Sequence, residues 1–340
     1  MPVSSKKPTL SFVIPTLNAA KVLQTCLASI AKQKTKIKYE IIISDGGSTD
    51  NTINIAKNYK AKIVPNPLKT AEAGKAVGIK QAIGEFICLI DSDNIIPSSN
   101  WLNIMLQPLI DKEIIGSEPI SFAYRKNSGL IERYSALIGA NDPYAFITGI
   151  YDRKNYINHK WTGLKISTEN FKTYIKIKLE KNHSIPTIGA NGTIFRKSIF
   201  NNLKLDYLFD IDLLTEKLQK TSPLYFAKVK TSIIHTYCEN NIKKFIRKQN
   251  RRIVDYYTYK NLRKFNWDNT NNHGMIKFVF YTVLILPMLF DLTIGYFNKP
   301  DPAWFIHPIA CFITLYVYST NFIKYKLGLI KPIDRKSWQQ

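Results

Sequence analysis

EFICLIDSDNIIP, residues 85–97, is an apolar run that ends abruptly at two aspartates separated by one serine. Phe86 to Ile90 is typical of a buried strand, because it is short, continuous and rich in bulky and β-branched side chains. Asp91-Ser92-Asp93 is therefore either a polar turn that caps the next helix or a pair of carboxylates that the strand delivers to a metal ion. The pair alone does not decide, since a second one, Asp210-Ile211-Asp212, occurs in the same chain.

The residues before this stretch alternate between strand and helix patterns. Short apolar strands are predicted at Leu10–Ile14, Tyr39–Ser44 and Ala61–Val64, and helices at Ala20–Lys32, from Ser48 to Tyr59 and at Ala71–Ala82. With Phe86–Ile90 as the fourth strand, this order predicts an α/β fold with a doubly wound, mostly parallel sheet.

Distinctive residues follow three of the four predicted strands. Pro15-Thr16-Leu17-Asn18 follows the first strand, Asp45-Gly46-Gly47 the second and Asp91-Ser92-Asp93 the fourth. Open parallel sheets bind their ligands beyond the carboxyl ends of the strands. We therefore expect the three groups to lie along one edge of the sheet and to face one ligand.

The composition indicates a globular protein with an anionic partner. The chain has 340 residues, a hydrophobic content of 45% and a net charge of +23. It can bury a core, and its charge favours phosphorylated substrates, an acidic membrane surface or nucleic acid. Four widely separated cysteines, Cys26, Cys88, Cys238 and Cys311, predict neither a zinc site nor disulfides and fit a reducing compartment.

Two apolar segments near the C-terminus predict membrane attachment. They cover residues 278–297, interrupted by Asp291, and residues 303–323, which include His307 and Pro308. About 20 apolar residues can cross the hydrocarbon core of a bilayer. Basic residues outside both ends predict a hydrophobic helical hairpin with both termini cytoplasmic. Asp291 leaves open the alternative of helices that lie in the interface or pack in a core.

Several motifs stand at the predicted strand ends. They are SFVIPTLNAA at 11–20, IIISDGGSTDNT at 41–52 and GKAVGIKQAIGEFICLIDSDN at 74–94, followed by IGANGTIFRKSIF at 188–200 and the pattern from Asp210 to His235. Together they resemble the family-2 glycosyltransferases with the GT-A, Rossmann-like fold, in particular the membrane-associated members. The likeness is strongest over the first hundred residues and extends to about residue 255.

The resemblance implies a site for a UDP- or GDP-linked sugar. Asp45 would accept a hydrogen bond from the base, and Gly46 would let the backbone approach the ligand closely. Pro15 and Thr16 would line the nucleoside pocket, and Lys75 would neutralise the diphosphate. The plainer alternatives are an ordinary turn at Asp45, a strand-terminating proline and a solvated lysine.

The resemblance also implies a divalent ion, Mg²⁺ or Mn²⁺, which would neutralise the departing diphosphate. Asp93 would bind the ion directly, while Asp91 would contact ribose or reach the ion through water, with Ser92 beside the donor. His235 stands where the family often has a histidine and would be a further metal ligand. The alternatives are a helix cap for the aspartates and a structural role for the histidine.

An inverting transfer needs a general base. Family members carry a Glu-Asp pair, then one residue, then Asp-Leu, where this chain has Phe209-Asp210-Ile211-Asp212-Leu213. Aligned in this way Asp210 is the base, and phenylalanine replaces the usual glutamate. Asp212 is the alternative base, although an aspartate in a first helical turn is also favoured by the helix dipole. Asn191, in the loop 189–192, would form the bottom of the sugar or acceptor site or would simply belong to a tight turn.

The patterns divide the chain into three predicted regions. Residues 1–240 form a GT-A domain, with a nucleotide-sugar-binding half at 1–115 and an acceptor half at 116–240. Residues 241–272 form a basic amphipathic helical linker, typical of binding to a membrane surface or an anionic head group. Residues 273–340 form the hydrophobic hairpin and a basic tail.

The sequence therefore predicts a membrane-associated enzyme with a cytoplasmic catalytic domain. It would be a metal-dependent, inverting glycosyltransferase of the hexosyltransferase type that acts on a lipid-linked or cell-envelope glycan acceptor. A sugar-phosphate nucleotidyltransferase is the first alternative, but Pro15-Thr16-Leu17-Asn18 stands where such enzymes carry a glycine-rich basic loop. A basic nucleic-acid-binding protein is the second, and we expect no nucleic-acid partner because neither a reading helix nor an aromatic platform is recognisable.

Overall fold

A computed structural model describes the backbone of residues 9–201, 210–263 and 273–333, with side chains at all of these positions except 210, 211 and 262. Its strands are β1 Leu10–Thr16, β2 Tyr39–Asp45, β3 Lys62–Pro65, β4 Phe86–Leu89, β5 Asn94–Ile95, β6 Ile114–Phe122, β7 Ser167–Asn170, β8 Tyr174–Leu179, β9 Thr193–Arg196 and β10 Leu224–His235.

The helices surround the sheet and then continue beyond it. They are α1 Ala20–Ala31, α2 Thr52–Asn58, α3 Ala71–Gln81, α4 Trp101–Leu106, α5 Leu130–Ile138, α6 Pro143–Thr148, α7 Asp210–Lys220, α8 Ile242–Thr258, α9 Gly274–Val283, α10 Leu286–Asn298 and α11 Ile306–Lys326.

The strands form one sheet in the order β3-β2-β1-β4-β9-β6-β10-β8-β7, and β5 pairs with β10 off this path. The first four strands are all parallel, as the alternating pattern of the first hundred residues predicts. The later half is mixed, because β9 runs antiparallel to β4 and β6 whereas β10 runs parallel to β6. The carboxyl ends of β1, β2 and β4 therefore share one edge.

The core forms because alternate strand residues point to opposite faces of the sheet. In β4, Cys88 packs into the cluster on one face, and Ile87 and Leu89 pack into the cluster on the other. Helix α3 lies close against β1 because Gly74 and Gly78 carry no side chain. A Cβ at Gly74 would come within 2.8 Å of Pro15 Cβ. This close packing places α3 at the edge where the strands end.

The C-terminal helices pack on the α/β domain through a third cluster, to which α5, α6, α8, α9 and α11 contribute. Asp301 anchors the turn before α11, because its carboxylate accepts hydrogen bonds from Tyr124 and from Arg133. His307, at the start of α11, lies between the hydroxyls of Tyr134 and Tyr281, each 2.8 Å from one ring nitrogen. His307, in the second apolar segment, thus has two partners within the protein.

The first apolar segment is not a single straight helix. It breaks between Val283 and Leu286, and its two halves are bent by 83°. Pro287 explains the break, because proline has no N–H to donate and its ring clashes with the preceding turn. Asp291, which is costly in a bilayer, accepts a hydrogen bond from Tyr281 across the bend. In the described residues one stretch, Pro302–Lys326, is by itself long and apolar enough to cross a membrane.

Candidate active site

A cleft of about 290 Å³ opens at the carboxyl ends of β1 and β4. One side is formed by Pro15, by α3 and by Asp91 and Asp93, and the opposite side by α8. The loop 187–191 and the loop 140–142 close its ends. The edge of the sheet that the sequence predicts as a ligand site is therefore concave, with charged side chains on both walls.

The Asp91-Ser92-Asp93 segment is a closed turn and does not cap a helix. Asn94 closes it, because its side-chain oxygen accepts a hydrogen bond from Asp91 N–H at 3.1 Å and its own N–H donates to Asp91 C=O at 3.0 Å. The next helix, α4, begins at Trp101. Ser92 is buried and does not line the cleft, whereas both aspartates do. This arrangement disfavours the helix-cap alternative.

The short strand β5 brings His235 to Asp93. Asn94 pairs with His235 in the antiparallel ladder between β5 and β10. The imidazole Nε2 lies 3.3 Å from Asp93 Oδ1, and Thr236 donates to the Asp93 carbonyl from both its N–H and its hydroxyl. Two residues that are 142 positions apart in the sequence therefore meet at one point of the cleft wall.

Asp93 also forms an ion pair with Lys248 of α8, whose Nζ lies 3.0 Å from Asp93 Oδ2. Lys248 also contacts the face of the Tyr237 ring. Burial alone would raise the pKa of Asp93, but Lys248 and His235 outweigh burial and hold that pKa well below its ordinary value. Asp93 is therefore a permanently charged carboxylate at neutral pH.

Helix α8 turns its basic face into the cleft. Seven basic side chains line the cleft, namely Lys75, Lys244, Arg247, Lys248, Arg251, Arg252 and Arg263, against five acidic ones, Glu72, Asp91, Asp93, Asp142 and Asp152. The excess of two positive charges suits an anionic ligand. The basic stripe that the sequence suggests for a membrane surface therefore belongs to the cleft.

Lys75 is buried on α3 at the opposite wall. Its ammonium lies 3.9 Å from Asp91 Oδ1. Glu72, one helical turn earlier, also faces the cleft, and burial tends to raise its pKa while Lys75, Arg251 and Arg263 lower it more strongly. Lys75 is therefore part of the cleft, which disfavours the reading of this residue as a solvated lysine.

The Asp45 group lies beside the cleft and does not line it. Asp45 Oδ1 accepts hydrogen bonds from the hydroxyls of Thr16 and Ser48, and Oδ2 accepts from the N–H groups of Gly47 and Ser48. Thr16 and Asp45 are paired in the ladder between β1 and β2, which places Asp45 two strands from β4, about 10 Å away. The carboxylate thus fastens the turn, and contact with a nucleobase stays a prediction.

The glycines of this turn differ in their roles. Gly47 has a φ of +88°, which favours glycine, whereas Gly46 has no such value and packs against Leu17. The close approach to a ligand that the resemblance implies for Gly46 stays a prediction.

Asn191 lines the cleft beside the aspartate turn. Its side-chain oxygen accepts a hydrogen bond of 3.1 Å from Asn94, the residue that closes the aspartate turn. Gly192, with a φ of +78°, turns the chain into β9 directly afterwards. The sequence presents a tight turn and a position at the ligand site as alternatives. In the structure Asn191 belongs to a tight turn and also lines the cleft.

Of the two candidates for the general base, the structure describes the side chain of Asp212 only. Asp210 begins α7, and its side chain lies outside the described part of the chain. Asp212 is buried and lies 3.4 Å from the guanidinium of Arg263, a residue of the cleft. Asp212 is not among the residues that line the described cleft, and the assignment of the base stays a prediction.

Sequence reasoning missed Asp142 and its partners. Asp142 caps α6 by accepting from Tyr144 N–H, pairs with Arg252 at 3.0 Å and accepts from the Tyr318 hydroxyl of α11. The signal for the cap was visible, since Asp142-Pro143 is typical of a helix start. The link to Tyr318, however, joins residues far apart in the sequence.

A buried ionic cluster supports the floor of the cleft and was also missed. Glu118 accepts from Arg153 and from Lys228 at 2.5 Å each, and Arg153 also pairs with Asp152. Of these four residues only Asp152 lines the cleft. Burial raises the pKa of Asp152 to about 6, with Arg153 opposing the effect and Glu118 adding to it.

The donor atoms at Asp91, Asp93 and His235 fit a divalent ion by type, since Mg²⁺ and Mn²⁺ accept carboxylate oxygens and Mn²⁺ also accepts imidazole. Among the described residues no three such ligands are already gathered closely enough to share an ion. One oxygen of Asp93 is bonded to Lys248, which an incoming ion would have to displace.

Comparisons with known proteins agree with this architecture. A family model described as "Glycosyl transferase family 2" matches residues 11–204. Over 142 residues the chain is 28% identical to the chondroitin synthase of Pasteurella multocida (strain Pm70), which covers 40% of this chain and 14% of that protein. Over 143 residues it is 27% identical to glycosyltransferase AglE of Haloferax volcanii, covering 39% of this chain and 46% of AglE. The matches thus span less than half the length of these relatives.

A solved structure is similar over nearly the whole chain. The mannosyltransferase PcManGT from Pyrobaculum calidifontis, in complex with GDP-Man and Mn²⁺, superposes with a TM-score of 0.52 at 12% identity. The superposition covers 98% of this chain and 90% of that one. At this identity the likeness concerns the fold, and the predicted GT-A fold is confirmed.

Proposed function

Because this chain belongs to glycosyl transferase family 2, we propose that it transfers a sugar, with inversion, from a nucleoside diphosphate to a lipid-linked or cell-envelope glycan acceptor. The convergence of Asp91, Asp93 and the basic face of α8 on one cleft carries this proposal. Both the diphosphate of a donor and a divalent ion would find oppositely charged side chains there.

The donor would lie along the sheet edge. Its base would reach the turn at Asp45, and its diphosphate would lie near Lys75 and the cations of α8. The separation of about two strands between Asp45 and the aspartate turn suits a ligand with a nucleoside at one end and a diphosphate at the other. GDP-Man and Mn²⁺, which PcManGT binds in the same fold, are the first ligands to test, with UDP-linked sugars beside them.

Asp93, Asp91 and His235 would hold the ion. When bound, Mg²⁺ or Mn²⁺ neutralises the charge that develops on the departing diphosphate. Lys248 would then be released from Asp93 and be available to the phosphate oxygens. Asn191 and the adjoining loop would orient the transferred sugar.

The transfer replaces one bond by another at the anomeric carbon. An oxygen of the acceptor forms the new bond to this carbon, and the bond to the diphosphate breaks with its electron pair remaining on the diphosphate. A carboxylate takes the proton of an acceptor hydroxyl, a contribution of about 10²–10⁴ in rate. Asp210 is the first candidate for this base and Asp212 the second.

The surface of the C-terminal helices supports attachment to the cytoplasmic face of a membrane. Large apolar side chains that are at least 44% exposed stand on α9, α10 and α11 and at their junctions: Ile276, Phe280, Val283, Leu284, Ile285, Leu286, Leu289, Phe290, Phe297, Ile309, Phe312, Tyr316, Phe322 and Ile323. Ordinary protein surfaces expose large apolar side chains singly, whereas here many are exposed on the same group of helices. Lys324 and Lys326 end α11 and suit anionic lipid head groups.

A binding panel tests the proposal. Thermal unfolding of the full chain in detergent would be measured with UDP- and GDP-linked sugars, each with and without Mn²⁺. We expect one donor to stabilise the protein and Mn²⁺ to increase the effect. Absence of stabilisation by every donor would overturn the proposal, and a gel shift with nucleic acid at physiological salt would favour the alternative class of partner.

A further inference from the structure

A small apolar groove of about 50 Å³ adjoins the cleft, and the two share Arg252 and Arg263. The remaining residues around the groove come from α6, α8, α9 and α11: Tyr144, Ile253, Tyr256, Tyr257, Met275 and Tyr318. Rings and aliphatic side chains thus form most of its surface, and the two guanidiniums stand where it meets the cleft.

Each of the two arginines forms an ion pair at the cleft, and Arg252 also donates a hydrogen bond to Gln249 Oε1. Arg252 NH1 lies 3.0 Å from Asp142, and Arg263 NH1 lies 3.4 Å from Asp212. A guanidinium has five N–H donors in a planar fork, so it can bind a carboxylate on one edge and a phosphate on another. The cleft already has an excess of basic side chains, and a divalent ion bound there would add to it.

The groove continues toward the apolar surface of the C-terminal helices. Met275, which lines the groove, stands next to Ile276, which is exposed. Tyr257 lines the groove and stacks on Tyr325 of α11 with ring centroids 4.4 Å apart. A hydrocarbon chain that leaves the groove would therefore reach the helices that we assign to the membrane surface.

We propose that the groove and its two arginines bind an acceptor whose hydrocarbon chain is attached through a phosphate. The phosphate lies between Arg252 and Arg263, the first carbons of the chain lie in the groove, and the rest runs along α9 into the bilayer. This inference rests on the proposed function and specifies the acceptor as a long-chain alcohol phosphate or its glycosylated derivative. A free, uncharged glycan has neither a hydrocarbon chain for the groove nor a phosphate for the two arginines.

Binding of short analogues tests the proposal in the detergent-solubilised full chain. Farnesyl phosphate, inorganic phosphate and farnesol would be titrated by calorimetry below the micelle concentration of the lipids. We expect farnesyl phosphate to bind at least about tenfold more tightly than either single-function probe, because a charged hydrogen bond and apolar burial act together. Inorganic phosphate binding as tightly as farnesyl phosphate would overturn the role of the groove, and farnesol binding as tightly would overturn that of the arginines.

Matched variants localise the binding. Met275→Trp fills the groove and should weaken the binding of farnesyl phosphate about tenfold. Ile309→Trp, at an exposed residue of α11 outside the groove, should leave this affinity unchanged. Arg263→Gln, which keeps a polar side chain and does not fill the groove, should also weaken the binding of farnesyl phosphate. Equal effects of Met275→Trp and Ile309→Trp would contradict the proposal.

Donor binding separates this inference from the proposed function. A nucleotide-sugar should bind the wild type and the Met275→Trp variant equally, which also shows that the variant is folded. If the donor binds and farnesyl phosphate does not, the groove proposal alone fails. If no donor binds the wild type, the proposed function fails.

Discussion

Lys248 on α8 lies 3.0 Å from Asp93 at the opposite wall of the cleft, so two chain segments 155 residues apart are joined by one ion pair. The same carboxylate is the first candidate to bind a divalent ion. A lysine ammonium and a metal ion would therefore compete for it, and substitutions at the two positions should have opposite effects on metal binding.

Asp93→Asn should abolish metal-stimulated transfer and leave the protein folded. Changes in the surroundings of a metal ligand alone cost about 10–100-fold in affinity or activity, so loss of the ligand should cost at least about 100-fold. Mn²⁺ titration and transfer assays would measure the effect. Asp111→Asn, at a carboxylate on the protein surface paired with Lys176, is the control, and full activity of Asp93→Asn would exclude the metal role.

Lys248→Met should strengthen Mn²⁺ binding by about tenfold, because it removes a competing positive charge at ion-pair distance. Calorimetric titration with Mn²⁺ in the absence of donor would measure this. Lys243→Met, at an exposed position of the same helix, should leave the affinity unchanged. Weaker Mn²⁺ binding in Lys248→Met would show that the lysine supports the site.

Glu118→Gln should lower the free energy of unfolding by about 3 kcal/mol. Glu118, Arg153 and Lys228 are fully buried, so removal of the carboxylate leaves two cations without their central partner. Urea unfolding would measure the loss. Glu113→Gln, whose carboxylate is mostly exposed beside Lys176, should change the free energy by less than about 1 kcal/mol, and equal losses would contradict the assignment.

Asp301→Asn should destabilise the protein in a pH-dependent way. Burial tends to raise the pKa of Asp301, but hydrogen bonds from Tyr124, the Ala303 N–H and Arg133 lower it below the ordinary value. A lowered pKa means that the ionised carboxylate stabilises the folded state above about pH 4 and that this contribution is lost as the pH falls through the folded-state pKa. The difference in unfolding free energy between wild type and variant should therefore shrink in acid. A difference that is constant with pH would contradict this account.

Tyr318→Phe should cost about 1.5 kcal/mol of stability, because the buried Asp142 carboxylate loses a charged hydrogen bond. Since Asp142 also pairs with Arg252, we expect the KM for the acceptor to rise as well. Tyr316→Phe on the same helix, at a residue that is 71% exposed, is the matched control. An unchanged KM in Tyr318→Phe would show that the contact between α11 and Asp142 does not influence acceptor binding.

The parallel half of the fold could be predicted because its information is local. The predicted helix Ala71–Ala82 and the observed Ala71–Gln81 differ by one residue, and the Thr70 side chain caps the start of the helix by accepting from Ala73 N–H. The Asp91-Ser92-Asp93 turn follows a strand that the apolar run identifies on its own. Such a short-range signal also places Pro15 at the edge of the sheet, whereas for Lys75 the sequence leaves a solvated side chain as the alternative.

The rest of the site depends on contacts that no local pattern contains. His235 meets Asp93 only because β5 pairs with β10, and Lys248 reaches it only because α8 folds back over the cleft. The break between Val283 and Leu286 does not follow from the composition of the apolar segment, which suggests a span, because backbone hydrogen bonding decides the shape of the helix. The base Asp210 stays a prediction for a different reason, since its side chain is not described.

The hydrogen bond from Tyr318 to Asp142 has a practical consequence for anyone who prepares this enzyme. Cutting the gene before the apolar C-terminal helices, a common way to obtain a water-soluble fragment, would delete a partner of the loop 140–142 and uncover the apolar side chains of α5 and α6 that belong to the third cluster. The fragment would differ from the full chain at the cleft itself, so expression trials should keep the intact C-terminus and change the detergent.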